Sequence, residues 1–423
     1  MDKVLVIADD LTGALDTGVQ FSQEGISTIV IMDTIDSLEI YYNTYDVVVI
    51  DSETRHISPK DAYRIIFDIV RVAKALQVSC IYKKTDSTLR GNLGSELTAL
   101  LDASEESALP FIPAYPKNGR ITRGGVQYLD GIPLAQSVAG RDPYNPVVHS
   151  FIPDILLANG SAEICLVPFG AEIPDFDGIL LFDAETEDQI FAVGHRLSKR
   201  SKLRVIAGCA GFASLLPSLL CLQHRSVPSL QRQKGVLIVS GSANPVSIDQ
   251  VNAINEGQIF LHTLTIDQKV QRDYWNTTQG QKDLVTLTYH MLNYSCLIIR
   301  ALDKKDNLCD IRDIPDSDMR SEEDLRKRIC ENIGELVKQL VLLQKIGNLI
   351  VIGGDTFAGI LKAFSIQLLI PVCEIAPGVA VSILAIDTGT INIVSKSGSF
   401  GTDEVLLKVL SYLAENPDQS STI

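Results

Sequence analysis

The chain has 423 residues, 46% of them hydrophobic and 21% charged, the make-up of an ordinary folded protein without the low hydrophobicity of a disordered one. That length exceeds what one core usually supports and predicts two domains of about 200 residues each. A formal net charge of -15 argues against nucleic acid or an anionic membrane as the main partner, because either needs a broad basic footprint. No apolar run reaches the ~18 residues of a transmembrane helix, and the start reads as a strand without a signal-peptide pattern, so a cytoplasmic location is expected. Eight cysteines are scattered without a C-x-x-C pair and read as reduced packing residues. Six histidines show no metal-binding spacing; no dedicated metal site is expected, and Mg²⁺ would arrive with a phosphate.

Over the first 210 or so residues, strand-like runs at 3–8, 26–32, 47–50, 78–83, 163–167, 178–182 and 203–207 alternate with helical patterns, which predicts a largely parallel sheet flanked by helices. The first run hands over to A-D-D-L-T-G at 8–13, and Leu11, Ala14, Leu15 and Gly18 then form a helical stripe within 11–24. Thr12 and Asp16 lie one turn apart on another face of that helix. The run at 47–50 leads into D-S-E-T-R and Arg55, and the run at 78–83 into K-K-T-D-S-T-L-R-G-N at 83–92. Ligands bind outside the carboxyl ends of strands in open α/β sheets. Asp9, Asp10, Lys83, Asp86, Ser87 and Arg90 are therefore expected to share one cleft, with a mixture of groups that suits a polyhydroxylated acid. Lys83 and Lys84 alternate in direction, so at most one is expected to face it.

Residues 113–146 hold five prolines and five glycines and read as a long functional loop carrying Asn118, Gly119, Arg120, Arg141, Asp142 and Pro143. A polar stretch with a proline at 224–234 sets the boundary between domains at 1–228 and 229–423. The second domain opens on strand Val236–Val239, then S-G-S-A-N-P, with Asn244 as N-cap and Pro245 as the first helical residue. Residues 263–320 show no clear pattern. A helix is predicted over 322–346, with Ser321 and Asp324 in an approximate capping box and Gly347 as its stop, followed by a strand at 348–352 that ends in G-G-D-T.

Three turns share one design: S-G-S at 240–242, G-G-D-T at 353–356 and S-K-S-G-S-F-G-T at 395–402 each follow a strand and precede a helical pattern. Glycine admits close approach of backbone amides to an anion, Ser and Thr add donors, and a helix N-terminus adds its unpaired N–H groups. A purely steric reading fits any one of these turns. Three together, one carrying Lys396, favour a nucleotide phosphate cradle. The Walker, dinucleotide-binding and protein-kinase motifs are absent. A carboxylate at a strand end can take a proton from a substrate hydroxyl or hold a metal, which phosphoryl transfer to an alcohol requires. Asp9 and Asp10 fit that role; the alternative makes Asp10 a helix N-cap and leaves Asp9 facing solvent. Arg55 and Arg90 are each able to clamp a substrate carboxylate, the alternative being an ion pair within the protein. Two D-T-G triplets, at 16–18 and 387–389, are rejected as an aspartic-protease signature, because the first lies inside a helical stripe.

Together, A-D-D-L-T-G-A-L-D-T-G, K-x-D-S-T-L-R-G-N-x-G-x-E at 84–96, N-G-R with the later G-x-x-Y-x-x-G-x-x-L and R-D-P, G-G-D-T, and K-S-G-x-F-G resemble the four-carbon acid sugar kinase family over nearly the whole chain. The resemblance implies two α/β domains, sugar-acid binding in the first and nucleotide binding in the second, with the active site in the cleft between them. It implies ATP-dependent phosphorylation of a four-carbon sugar acid at its terminal hydroxyl, with Mg²⁺ expected alongside the nucleotide. It places Asp9, Asp10, Arg55, Lys84, Asp86, Ser87 and Arg90 on the substrate; from the residues themselves Asp9 and Asp10 are the catalytic candidates, and Thr12 is a further expected substrate contact. The resemblance places Ser242, Gly353, Gly354, Asp355, Thr356, Lys396, Gly398 and Gly401 on ATP. Family members often show a G-S-C-S turn where this chain reads G-S-A-N. The D-S-T-L-R-G-N form looks like the threonate and erythronate kinases, and less like the 3-oxo-tetronate kinases with their C-S-T-F-D-S-S. D-threonate or D-erythronate is the expected acceptor; a kinase for another small polyol acid and a non-catalytic nucleotide-gated sensor are the rival readings. The oligomeric state stays open, a homo-oligomer included.

Overall fold

V-L-V-I-A at Val4–Ala8 is buried at every position, as a strand covered by helices on both faces requires. The same holds for V-V-V-I-D at Val47–Asp51 and C-I-Y-K-K at Cys80–Lys84, the last burying two lysines. The computed structural model describes residues 3–32, 38–141, 146–225, 230, 235–254, 259–303, 321–343, 346–387, 389–398 and 400–415. It forms two compact units, Met1–Val227 and Pro228–Ile423.

The first unit contains strands β1 (Val4–Ala8), β2 (Thr28–Ile31), β3 (Val47–Asp51), β4 (Cys80–Lys84), β5 (Ala108–Ile112), β6 (Arg120–Arg123), β7 (Val126–Leu129), β8 (Ile132–Pro133), β9 (Ile164–Val167), β10 (Gly178–Phe182) and β11 (Val205–Gly208). Eight of them make a sheet in the order β2-β3-β1-β4-β11-β5-β10-β9, every pairing parallel. β1 has β3 on one side and β4 on the other, so the chain changes direction across the sheet there. Such a switch point leaves a crevice at the strands' carboxyl ends. The helix Leu11–Ser22 follows β1 directly, and Asp10 caps it by accepting from the Gly13 amide.

Two expectations are corrected here. The strand-like runs of the sequence do not include 108–112, yet this segment, with Pro110 at its centre, is the inner strand β5. Burial among parallel neighbours overrides the lost donor. The stretch 113–146 is no irregular loop: its described residues include the antiparallel meander β6-β7-β8. The Gly124-Gly125 and Asp130-Gly131 pairs, all at positive φ, turn its two hairpins. Asp142 and Pro143 lie outside the described residues.

The second unit contains β12 (Val236–Ser240), β13 (Ile259–Thr263), β14 (Cys296–Arg300), β15 (Asn348–Ile352), β16 (Leu368–Ala376), β17 (Val379–Ile386) and β18 (Gly389–Lys396). Their order is β13-β14-β12-β15-β18-β17-β16; the first five run parallel and the last two are antiparallel additions. Ile238, Ile298, Ile350 and Val394 meet Val251 and the helix residues Val405, Leu406 and Val409 in one core. Asn244 caps the helix Pro245–Ala253, with Pro245 at its first position. The long helix is Glu322–Leu343, and the unpatterned region holds helices Ile266–Val270 and Thr278–Asn293 and strand β14, with 304–320 outside the described residues. No helix among the described residues is long and apolar enough to cross a membrane.

The helix Leu93–Ser104 is docked at its start. Ser95 donates to the Asn159 carbonyl, the Asn159 side chain accepts from the Ser95 amide at 3.0 Å, and a Cβ at Gly94 would lie 1.8 Å from the Leu156 carbonyl oxygen. Backbone on both sides leaves no room to yield. Gly94→Ala is expected to lower stability by about 2–3 kcal/mol, read as a lower denaturant midpoint at unchanged m-value.

Candidate functional site

In the first unit the register pairs Ala8 with both Asp51 and Lys84, so the residues that follow β1, β3 and β4 emerge side by side. Arg55, only 9% exposed, reaches back from the turn after β3: its Nε lies 2.7 Å from Asp9 Oδ2 and its Nη1 2.5 Å from Asp10 Oδ2. Its Nη2 is 3.6 Å from Asp86 Oδ1. Asp86 in turn receives Arg90 in a two-point clamp of 2.7 and 3.1 Å, and the Thr88 hydroxyl at 2.5 Å. Sequence separations of up to 81 residues, Asp9 to Arg90, are thus closed by one network of charge-assisted bonds.

Asp10 serves both readings offered for it: it is the N-cap, through Oδ1, and an ion-pair partner through Oδ2. Its side chain is 25% exposed. Asp9 is buried, which overturns the solvent-facing alternative, and its Oδ1 has no hydrogen-bond partner among the described residues. Both guanidinium groups hold aspartates of the protein, the ion-pair alternative to a substrate clamp. Lys84 donates to the Thr85 carbonyl at 3.0 Å and makes no ion pair among the described residues. Its ammonium lies over the start of the helix Leu11–Ser22, where a Cβ at Gly13 would come within 3.0 Å of Nζ. Thr12, in the first turn of that helix, and Ser87, beside Asp86, are both half-buried.

Burial opposes the charged form of Asp9, but Arg55, Lys83 and Lys84 outweigh it and hold its carboxyl below the usual range. Burial likewise opposes ionisation of Asp86, where Arg90 and Arg55 hold the carboxyl well below normal. The two lysines point apart as strand alternation requires, yet both act on Asp9. Lys83 turns to Glu96, 3.0 Å away, with both side chains fully buried. Arg120, on β6, is pushed down by burial, with the charge of Asp86 as the largest counterweight. Sequence reasoning missed Asp51, whose carboxyl is driven well above the usual range by burial and then by the charge of Asp10. The signal for it was a carboxylate ending the apolar run V-V-V-I-D.

In the second unit the three glycine turns follow β12, β15 and β18, which are adjacent and parallel, with Ser240 opposite Ile352 and Ile352 opposite Lys396. The turns interlock. A Cβ at Gly241 would fall 2.0 Å from Thr356 Oγ1, and one at Gly398 2.6 Å from Ser242 Oγ. Gly353, at φ 111°, starts the turn into the helix Gly354–Ala363, which carries exposed Asp355 and buried Thr356. Ser247 donates to the Gly398 carbonyl at 2.6 Å, and the amide of buried Gln250 reaches the carbonyls of Phe400, Gly401 and Thr402 at 2.9–3.1 Å. These two supports lay in an ordinary helical stretch and left no mark in the sequence. Lys396 is 2% exposed, donates to the Ser397 carbonyl, and has no ion-pair partner among the described residues; burial pushes its ammonium down to about 8. A buried lysine beside interlocked glycine turns has the donors and the charge that an anion requires.

Two family models match the chain: one described as a sugar-binding N-terminal domain over residues 4–216, the other as a nucleotide-binding C-terminal domain over 237–406. The chain is 28% identical over 384 residues to a D-erythronate kinase of Heliobacterium modesticaldum, covering 86% of each. It is 26% identical over 437 residues to a D-threonate kinase of Salmonella typhimurium, covering 98% of this chain and 99% of that one. A crystal structure from Haemophilus influenzae shares the fold over 97% of this chain and 100% of its own, with a TM-score of 0.72 at 20% identity.

The raised carboxyl of Asp51 carries a pH signature. Stability from such a group is fully present below the unfolded value near 4 and is lost as pH rises toward the folded value. Asp51→Asn keeps an acceptor for the Glu53 amide, which Asp51 Oδ1 now receives at 3.1 Å. The variant is expected to be more stable than the parent at pH 7, with the gain vanishing toward about pH 4, as measured by urea melts across pH. A variant less stable at pH 7 would contradict this.

Proposed function

This chain belongs to the four-carbon acid sugar kinase family, and we propose that it transfers the γ-phosphoryl group of ATP to the terminal hydroxyl of D-threonate or D-erythronate. The observation that carries the reading is Asp10: a carboxylate fixed by Arg55 and the Gly13 amide, yet still a quarter exposed at the end of a central strand. The D-erythronate and D-threonate kinase relatives favour those two substrates by their higher identity, 28% and 26%, against 24% for a 3-oxo-tetronate kinase of Burkholderia multivorans that also matches 96% of this chain.

Phosphoryl transfer leaves a protein mostly positioning and charge stabilisation to supply. In this account Asp10 accepts the proton of the terminal hydroxyl as its oxygen bonds to the γ-phosphorus and the bond to the β-γ bridging oxygen breaks. Asp9 and Asp86 keep Arg55 in place beside it. Lys84 and Arg120 are the cations that meet the acid's carboxylate, while Thr12, Ser87 and Arg90 face its hydroxyls. The turns with Ser242, Gly353 to Thr356, Gly398 and Gly401 receive the nucleotide phosphates, and Lys396 answers their charge. Mg²⁺ bound with the nucleotide would supply further shielding of that charge. Asp355, exposed at the start of its helix, is the carboxylate the turns offer the ion. A cytoplasmic location, where ATP is held, belongs to the same reading.

Incubation with MgATP and either acid is expected to yield a 4-phosphomonoester by ³¹P NMR; ATP hydrolysis without acid phosphorylation would overturn the assignment. Asp10→Asn is expected to lower kcat about 10²–10⁴-fold with the KM for MgATP little changed. Lys396, with its ammonium pushed down to about 8, loses charge above that pH, so the KM for MgATP is expected to climb as pH passes about 8. Lys396→Met is expected to have a higher KM already at pH 7 and no climb.

A further inference from the structure

One chain of buried and half-buried polar contacts leads from the Lys83–Glu96 pair to the end of β1. Lys83 and Glu96 form an ion pair at 3.0 Å with neither side chain exposed. The other Glu96 oxygen, Oε1, accepts from the Thr54 hydroxyl. Thr54 Oγ1 is also 2.9 Å from Ser52 Oγ, which donates to the Ala8 carbonyl at 2.7 Å, at the very end of β1. Asn92 is the N-cap of the helix carrying Glu96, yet its amide is spent elsewhere, on the carbonyls of Thr54 and Ile57 at 2.8 and 2.9 Å. The backbone amide of Arg55 donates to the Asp9 carbonyl at 3.2 Å, and a Cβ at Gly91 would lie 3.2 Å from Arg55 Cγ.

Apart from the Lys83–Glu96 pair, which holds Glu96 itself, every one of these contacts closes on the turn 52–57, and Arg55 is the residue of that turn that faces the aspartates. Arginine has many rotamers, and holding its fork on two carboxylates requires that its backbone not drift. A loop fixed by solvent-exposed bonds would not do so. A fully buried carboxylate, itself neutralised by a buried lysine, is a costly arrangement to keep for packing alone, since apolar residues fill such space as well or better.

We propose that Thr54 and Glu96 are positioning residues: the Lys83–Glu96 pair, gripping the Thr54 hydroxyl, fixes the turn that aims Arg55 at Asp9 and Asp10. Neither residue touches substrate; each acts through Arg55. The inference rests on the sugar-acid kinase reading for its catalytic consequence, but not for its structural one. Asp9 faces Arg55, Lys83 and Lys84 as cations, with Asp10 and Asp51 as neighbouring acids. The pair therefore also sets how many positive charges Asp9 meets.

The test compares Thr54→Val, which keeps the shape and removes the hydroxyl, with Thr54→Ser, which keeps the hydroxyl. Two readouts are taken on each: amide hydrogen exchange over 52–57, and the KM values for sugar acid and for MgATP. Thr54→Val is expected to speed exchange in that turn and to raise the sugar-acid KM, each by about tenfold or more, with the MgATP KM within about twofold and Thr54→Ser restoring both. Glu96→Gln, which still accepts from Thr54, is expected to lose less than Thr54→Val in exchange protection. Unchanged exchange and unchanged sugar-acid KM in Thr54→Val would overturn the inference, as would equal losses in Val and Ser variants. If the parent enzyme turned over none of the acids, the kinase reading would fall and the exchange comparison alone would decide the inference.

Discussion

Arg55 shared between Asp9 and Asp10 is the contact on which the first half of the molecule depends. Two carboxylates on consecutive residues at one strand end repel each other, and burial of Asp9 makes its charge costlier still. One guanidinium with its fork spread over both removes the conflict and fixes the end of β1 relative to the turn after β3. Asp86 extends the arrangement to β4 and brings Arg90 with it. The result is alternating charge, satisfied internally except at Asp9 Oδ1, which has no hydrogen-bond partner among the described residues, and at its rim. There Asp10 remains partly exposed, and Lys84 keeps an ammonium bonded only to a carbonyl among the described residues. Those rim groups have the chemistry for a hydroxyl and for a carboxylate respectively.

The second half solves the opposite problem with opposite means. Instead of a dense ionic network it offers three glycine turns packed so closely that added side chains would collide, and one buried lysine not compensated by any described carboxylate. Its rigidity comes from Ser247 and Gln250, two side chains of one helix that hold the loop after β18 by its carbonyls. Fixing carbonyls from behind leaves amides free to face an anion, the arrangement that phosphate sites use. A preformed site of this kind loses little entropy on binding.

The strands that bear both sites were legible because each is an apolar run long enough to be buried on both faces. The residues at their ends stood out because polar groups directly after such runs emerge together at the sheet's rim. Asp9, Asp10, Arg55 and Asp86 were recognisable on that logic, although which of them pair was not, since register alone brings Ala8 level with Asp51 and Lys84. What stayed hidden was hidden for stated physical reasons. Pro110 concealed an inner strand, because propensity argues against it and only tertiary burial argues for it. The Gly-Gly and Asp-Gly turns of the β6-β7-β8 meander were read as loop punctuation, although flanking alternation marked them as hairpins. Glu96, Asn92 and Gln250 act across 42, 38 and 150 residues or more, and no local pattern carries such partners.

Phosphorylation of a four-carbon sugar acid is open to a single assay. The most direct measurement is ADP release from MgATP with D-threonate, D-erythronate, their L-forms and the 3-oxo-tetronates, each against a control without acid. Turnover that requires D-threonate or D-erythronate is the result the account predicts. ATP binding with no acid-dependent ADP release across the whole panel would contradict it, and would leave a nucleotide-responsive binding protein as the better description of the same sites.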